Sequence, residues 1–240
     1  MDRLPLRPAA HRNFDRSSPL QRCHDPPRTM QQQLTPGRHT RRAIAAAFIA
    51  MPAIWVGLRA QGTAQRQLTP RQSEGPFYPI QLPADSNYDL LRNGALSYGR
   101  GQPVWIDGTV SNPQGEPLAG AQVEIWQCDA DGHYDHPGDG ARAAKAFQGF
   151  GRVVVGPDGR YRFRSIRPAA YSGRTPHIHV KIRLGQRELL TTQLYVKDDP
   201  GNSRDVLWRS LRRADRGALT VPFRSAVDGL SATFPIVVAV

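Results

Sequence analysis

The sequence predicts an all-β fold, an antiparallel β-sandwich with long loops and one short helix. Short runs in which apolar and polar residues alternate recur every ten to twenty residues from about residue 100 onward. Gly, Pro, Asp and Asn separate these runs, and no long helical period lies between them. This combination is typical of two packed sheets joined by loops.

Six strands are predicted in chain order: Val104–Val110, Ala121–Gln127, Arg152–Val155, Arg160–Ile166, His177–Leu184 and Leu189–Val196. In most of them apolar residues occupy every second position, so one face of the strand would pack on a core. Turn sequences such as Asn112–Gly115 and Gly156–Gly159 separate the strands. Asp205–Arg213 is the one predicted helix, because its apolar residues fall on roughly one side.

The chain is predicted to divide into three segments. Residues 1–42 are rich in Arg, Pro, Gln and His and show no apolar period, which predicts a disordered extension that includes the polar start of a signal peptide. Residues 43–64 hold the apolar core and the cleavage region of that signal. Residues 65–240 then form one domain, which is long enough to bury a core of its own.

An export signal is indicated by the apolar core itself. It is an uncharged run of sixteen residues, which is short for a membrane span of about 20 residues. Arg41 and Arg42 directly precede it, which favours the twin-arginine route that carries folded proteins. We therefore expect an exported, periplasmic protein, with a membrane-anchored form as the second interpretation. Met30 offers a second possible start of the chain.

The formal net charge of +12 raises nucleic-acid binding as a function class. Residues 1–64 hold ten Arg and three Asp and carry +7 of that charge, so residues 65–240 carry only +5. No stripe of basic and aromatic residues marks a nucleic-acid groove in the folded part. We expect no nucleic-acid partner, whereas exposed sheet edges could pair with a second copy of the chain in a homo-oligomer.

The sharpest local feature is His177-Ile178-His179. Residues i and i+2 of a strand point to the same face, so the two imidazoles would stand side by side with Ile178 turned away. Imidazole suits zinc, copper, iron or nickel, so the pair alone does not choose a metal. Two ordinary histidines on an edge strand are the alternative explanation.

Two tyrosines are the candidate oxygen ligands. Tyr134 lies in a polar turn after the strand that ends at Gln127, and Tyr171 lies six residues before His177. A free phenol has a pKa near 10, but a bound cation favours phenolate, a hard anion that stabilises ferric iron. A loop tyrosine is more commonly a packing residue, and spacing alone does not pair these two with the histidines.

Five segments in order resemble the intradiol ring-cleavage dioxygenases, the family of protocatechuate 3,4-dioxygenase and catechol 1,2-dioxygenase. They are Glu74–Pro79, Trp126–Tyr134, Ile166–Tyr171, Arg174–His179 and Thr192–Tyr195. The separation of Tyr171 from His177 is shorter than in the well-known aromatic degraders. The chain also lacks the long helical N-terminal segment of catechol-cleaving members, so it looks more like the protocatechuate branch.

The resemblance implies a ferric ion, Fe(3+), held by four ligands: Tyr134, Tyr171, His177 and His179. It also implies O2 and a catechol-type compound as substrates. The ring would open between the two oxygen-bearing carbons and give a cis,cis-muconate-type diacid. Protocatechuate, catechol, hydroxyquinol and larger catechols all remain open as the substrate.

Three residues receive catalytic roles from the same resemblance. Tyr171 is the ligand that would leave the metal and accept a substrate proton. Arg174 would stabilise negative charge that develops near the ring. Gln193 would orient His177 or contact the ring.

Two other functions fit parts of the sequence. An exported, non-enzymatic, transthyretin-like β-sandwich binding module would explain the strands and the leader, but not the ordered set of tyrosines, arginine and histidines. A zinc enzyme would need a third strong ligand, Asp or Glu, close to His177 and His179, and none is evident.

If the leader is cleaved after Ala64, the exported protein begins at Gln65. N-terminal sequencing of the protein recovered from the periplasm tests this directly. A mature chain that still begins at Met1 or Met30 would contradict cleavage.

Overall fold

The structure, a computed structural model, describes residues 65–240, and the predicted leader lies outside these residues. The elements are strands β1 (Arg92–Asn93), β2 (Leu96–Ser97), β3 (Pro103–Ser111), β4 (Gln122–Trp126), β5 (Phe150–Val154), β6 (Arg160–Ile166), β7 (His177–Leu184), β8 (Arg187–Val196), β9 (Thr220–Val221), β10 (Arg224–Ala226), β11 (Gly229–Thr233) and β12 (Ile236–Val237), with helices α1 (Val206–Ser210) and α2 (Arg213–Leu219) and a 3₁₀ turn at Pro137–Asp139. Within residues 65–240, no helix has the length and apolar character needed to cross a membrane.

Two five-stranded sheets make up the sandwich, which confirms the predicted all-β class. One sheet has the strand order β5-β4-β7-β8-β9. In the other, β3 pairs with β6 on one side and with β11 and β12, and β10 extends the sheet from β11. Strands β1 and β2 form a separate small hairpin.

The predicted antiparallel sandwich with one short helix differs from the structure in two details. The pairs β3–β11, β3–β12 and β8–β9 are parallel. They involve three strands of two to five residues near the C-terminus, which the sequence analysis did not predict. The predicted helix at Asp205–Arg213 is two helices, because Leu211 has an extended conformation (ψ 142°) that ends α1 before α2 begins.

The two faces of β7 have different roles. Ile178, Val180 and Ile182 are at most 3% exposed and belong to the main core between the sheets. This burial fixes the register of β7, because a shift by one residue would place every apolar side chain on the wrong face. His177 and His179 therefore point away from the main core, on the opposite face of the sheet.

The N-terminal segment of the domain is bonded to strand β8, which neighbours β7. Gln72 donates its backbone N–H to the carbonyl of Thr191 (2.9 Å), and the hydroxyl of Thr192 donates to the carbonyl of Pro70 (2.7 Å). A second, smaller apolar cluster lies beside this segment: Phe77, Tyr78, Trp126, Cys128, Tyr134, Phe150, Ala169 and Tyr171. The candidate site residues are thus enclosed by aromatic side chains.

Candidate metal centre

The two histidines of β7 face each other at close range. Their Nε2 atoms are 3.2 Å apart, and each residue is 1% exposed. The indole ring of Trp126, on the adjacent strand β4, stacks on His179 with 4.7 Å between centroids and 10° between planes. This packing holds the imidazole of His179 in one plane.

Hydrogen bonding and burial define the state of these rings. The Nδ1 atom of His177 is 2.6 Å from the carbonyl oxygen of Thr175, so Nδ1 carries the proton and the Nε2 lone pair faces His179. Burial, with a contribution from Arg174, lowers the pKa of His177 to about 4. Burial and the neighbouring His177 lower the pKa of His179 further below its usual range. Both rings are therefore neutral, as metal ligands must be.

Tyr134 is brought to the histidines by a polar turn with its own carboxylate anchors. Asp129 accepts hydrogen bonds from the backbone N–H groups of Asp131 and His133 (3.0 Å each), and Asp139 accepts one from that of Tyr134 (2.8 Å). The ring of Tyr134 lies 6.1 Å from that of His179, centroid to centroid. Tyr134 is 2% exposed, and burial raises the pKa of its phenol.

Tyr171 reaches the same place despite its short separation from His177. Arg174 donates its backbone N–H to the carbonyl of Tyr171 (2.7 Å), and both residues between them have positive φ, Ser172 at 41° and Gly173 at 77°. These are the features of a type I′ turn, which reverses the chain within two residues. The half-buried ring of Tyr171 lies 5.0 Å from that of Tyr134 and 5.6 Å from that of His177.

The four predicted ligands thus form a closed circle of aromatic side chains, and their polar atoms suit a cation. The hydroxyl oxygen of Tyr134 is buried without a hydrogen-bond partner. Buried polar groups normally have partners, so this oxygen suggests a ligand. Within residues 65–240, no group of three or more His, Cys, Asp or Glu side chains is placed to hold a metal. A metal held by this circle would take its oxygen donors from the two tyrosines, and two phenolates with two imidazoles would fit ferric iron.

Arg174 is directed at the site by three partners. Its Nε atom donates to Oδ2 of Asp205 (2.7 Å), and an NH2 group donates to Oε1 of Gln193 (2.7 Å) and to the hydroxyl of Tyr195 (3.4 Å). The Arg174 side chain is 18% exposed, so its charge acts in a partly desolvated environment.

Of the two roles predicted for Gln193, orienting His177 has no hydrogen bond behind it in the structure. Its Oε1 accepts from Arg174 and from the hydroxyl of Tyr195 (2.9 Å), and its Nε2 donates to the carbonyl of Ser73 (2.9 Å). His177 is instead oriented by the carbonyl of Thr175. Gln193 lies opposite His179 in the register of β7 and β8, and its amide holds Arg174 and the N-terminal segment.

The segment from Glu74 to Pro79 covers the histidines. A Cβ atom added at Gly75 would lie 3.3 Å from Cε1 of His179, and Phe77 stacks on Tyr134 with centroids 4.7 Å apart. Glu74 forms an ion pair with Lys181, and Tyr78 donates its hydroxyl to Glu124 (2.8 Å). Sequence reasoning noted this motif without assigning its residues a role, because their partners lie 46 to 107 residues away.

An open cavity of about 360 Å³ adjoins the site beside Phe77 and Tyr134. Its lining is largely apolar: Phe77, Pro79, Ile80, Gln81, Pro83, Trp126, Tyr134, Asp135, His136, Pro137, Gln148, Gly149 and Phe150. A concave, apolar lining with a few polar groups is typical of small-molecule sites.

Comparison with known proteins gives the family. A family model described as dioxygenase (Dioxygenase_C) matches residues 73–239. Hydroxyquinol 1,2-dioxygenase of Nocardioides simplex is 31% identical over 181 residues, covering 65% of this chain and 58% of that protein. The protocatechuate 3,4-dioxygenase beta chain of Burkholderia cepacia is 32% identical over 167 residues, covering 64% and 70%. The chain therefore belongs to the intradiol ring-cleavage dioxygenase family, as the five motifs predicted.

A solved structure agrees with this assignment. The dioxygenase domain of a dioxygenase carbohydrate-binding protein fusion from Streptomyces sp. SirexAA-E is 34% identical, with a TM-score of 0.58. The match covers 72% of this chain and 99% of that one. The chain spans about half the length of the curated relatives it matches.

We expect the metal-free protein to lose stability as the pH falls from about 6.5 to about 4. In this window the unfolded chain binds a proton at His177 that the folded chain excludes, because burial lowers the folded pKa from 6.5 to about 4. One such group lowers the free energy of unfolding by about 1.4 kcal/mol for each pH unit. Urea unfolding at stepped pH measures the slope, and His177→Gln should reduce it by about that amount and leave the part that His179 contributes. An unchanged slope in that variant would show that another group is responsible.

Proposed function

We propose that this chain binds ferric iron and catalyses the intradiol cleavage of a catechol-type ring with O2. The observation that carries the proposal is the circle of two phenols and two neutral imidazoles, in which the buried hydroxyl of Tyr134 lacks a partner. The relatives that share the fold are named as catechol, hydroxyquinol and protocatechuate dioxygenases. Iron held here would supply the redox chemistry that joins O2 to the catechol and leads to a cis,cis-muconate-type diacid.

The charges of the donors suit a trivalent ion. Tyr134 and Tyr171 would each contribute one negative charge as phenolate, whereas His177 and His179 contribute neutral nitrogen. Burial favours the neutral phenol in the metal-free protein, since it raises the pKa of both tyrosines. Metal binding must therefore release the two phenol protons.

The two tyrosines differ in their freedom to move. Tyr134 is 2% exposed, and its backbone N–H is held by Asp139. Tyr171 is half-buried and sits at the base of a two-residue turn with a glycine. We assign to the phenolate oxygen of Tyr171 the acceptance of one catechol proton as substrate binds, because this side chain can leave the circle without disturbing the main core.

Arg174 would act on the substrate by charge. Its guanidinium is held by Asp205 and Gln193. A fixed cation that is preorganised before the reaction stabilises negative charge on the ring without reorganising solvent. The adjoining apolar cavity would exclude water from a ring that carries a nonpolar substituent.

We also propose that the enzyme is exported to the periplasm, on the strength of the twin arginine and the apolar run in its leader.

Protein loaded with ferric iron should be wine-red from phenolate-to-iron charge transfer. Tyr134→Phe should weaken the colour and His179→Ala should lose the iron, whereas Tyr88→Phe, at a tyrosine that is 51% exposed, should change neither. Metal analysis and the visible spectrum measure both. A colourless protein with stoichiometric zinc, or full colour in both site variants, would contradict the ligand assignment.

The proposed reaction consumes O2, so oxygen uptake measures it. Oxygen uptake with a panel of catechol, protocatechuate, hydroxyquinol and bulkier 4-substituted catechols should show turnover of at least one compound, with one O2 consumed per ring opened. Arg174→Gln should lower kcat by about 100-fold, the usual effect of removing one preorganised charge donor. Iron-loaded protein that consumes no O2 with any of these compounds would instead favour a binding module.

A further inference from the structure

Asp205 lies at the start of helix α1, in the loop that follows β8, and is fully buried. Its Oδ1 atom accepts a hydrogen bond from the backbone N–H of Trp208 (2.9 Å), which caps the helix. An Asn or Ser side chain would serve a helix N-terminus equally well. Capping therefore accounts for only one of the two carboxylate oxygens, and it does not require a buried negative charge.

The second oxygen connects two parts of the candidate site. Oδ2 accepts from Nε of Arg174 (2.7 Å) and from the backbone N–H of Thr175 (2.8 Å). A buried carboxylate is costly unless it is paired and hydrogen-bonded, and these contacts meet both conditions. Burial alone would raise the pKa of Asp205, but the backbone N–H groups and Arg174 outweigh it and lower the pKa. The carboxylate is therefore ionised at neutral pH.

The backbone of Thr175 links Asp205 to His177. Its N–H is held by Asp205, and its carbonyl oxygen accepts the proton on Nδ1 of His177 (2.6 Å). The hydroxyl of Thr175 donates to Asn202 (2.8 Å), which in turn donates to the carbonyl of Val196. Three hydrogen bonds thus hold Thr175. Only the acceptor in Asp205 also binds the guanidinium of Arg174.

We infer that Asp205 is a positioning residue of this site, which sets the guanidinium of Arg174 and, through Thr175, the ring of His177. The effect that we expect Asp205 to have on turnover rests on the proposed function. The effect that we expect it to have on His177 does not. One carboxylate thereby couples the group that would stabilise charge on the substrate to a group that would hold the metal. Sequence reasoning placed this residue only at the start of a helix, 26 positions after His179.

The test compares Asp205→Asn with a matched control, Asp215→Asn. Asp215 is also largely buried and belongs to the neighbouring helix α2, where it pairs with Arg212 (2.7 and 3.0 Å) away from the site. In Asp205→Asn, the amide NH2 group cannot accept from Arg174 and Thr175. Both variants therefore lose a buried carboxylate, but only Asp205→Asn loses one that is bonded to the candidate site.

The first readout is made on metal-free protein, by NMR of the imidazole protons. Exchange of the His177 Nδ1 proton should be at least about tenfold faster in Asp205→Asn than in wild type or Asp215→Asn, because the accepting carbonyl is no longer held. Equal exchange in all three proteins would overturn the link to His177. Neither iron nor turnover enters this result, so it stands apart from any failure of the proposed function.

The second readout is turnover of iron-loaded protein on a catechol that the wild type cleaves. Asp205→Asn should lower kcat by about 100-fold with KM changed only a few-fold, whereas Asp215→Asn should stay within about twofold of wild type. In an Arg174→Gln background the further loss from Asp205→Asn should shrink to about threefold or less, because residues that act through one another are not additive. Independent, multiplying losses would overturn the link to Arg174.

A variant that keeps the charge provides a separate check. Asp205→Glu displaces the carboxylate by one methylene, and it should restore part of the kcat lost in Asp205→Asn while keeping the slow exchange at His177. It also serves if Asp205→Asn does not fold. Turnover and exchange in Asp205→Glu no better than in Asp205→Ala would mean that the carboxylate is not what positions the site.

Discussion

The alternation of side chains along β7 is the constraint on which the rest of the site depends. Ile178, Val180 and Ile182 are buried between the sheets, so the register of the strand is set by the hydrophobic effect and not by the site. His177 and His179 must then share the opposite face, with their Nε2 atoms 3.2 Å apart. The core thus places two imidazole nitrogens within hydrogen-bond distance of each other on the face that carries the candidate site.

Burial also constrains the protonation states of the two tyrosines and the two histidines. It lowers the pKa of both histidines and raises the pKa of Tyr134 and Tyr171, so the metal-free protein keeps all four groups uncharged. Neutrality avoids the large cost of an isolated buried charge, but it leaves the hydroxyl of Tyr134 without a partner. A trivalent cation would resolve this, because it binds the lone pairs and converts the phenols to phenolates.

The sequence was sufficient for what depends on local period. The strand at His177–Leu184 and the shared face of its histidines follow from alternation alone, and the structure has the same bounds. The tyrosines could be paired with them only through the family motifs, since their approach depends on turns. The roles of Phe77 and Asp205 were missed because their partners are distant in sequence, and Gln193 was placed near the site but joined to the wrong neighbour. No local pattern carries such information.

The short loop before His177 shows how the two tyrosines can divide the work. A two-residue turn with Ser172 and Gly173 at positive φ sets the ring of Tyr171 5.0 Å from that of Tyr134. The same turn ends at Arg174, which Asp205 holds firmly, so motion of Tyr171 must occur at its own side chain or at the glycine. Tyr134 is enclosed and anchored by Asp139, whereas Tyr171 is half-buried beside an anchored cation. The proposed fixed ligand and the proposed mobile ligand therefore have different surroundings within one circle of four rings.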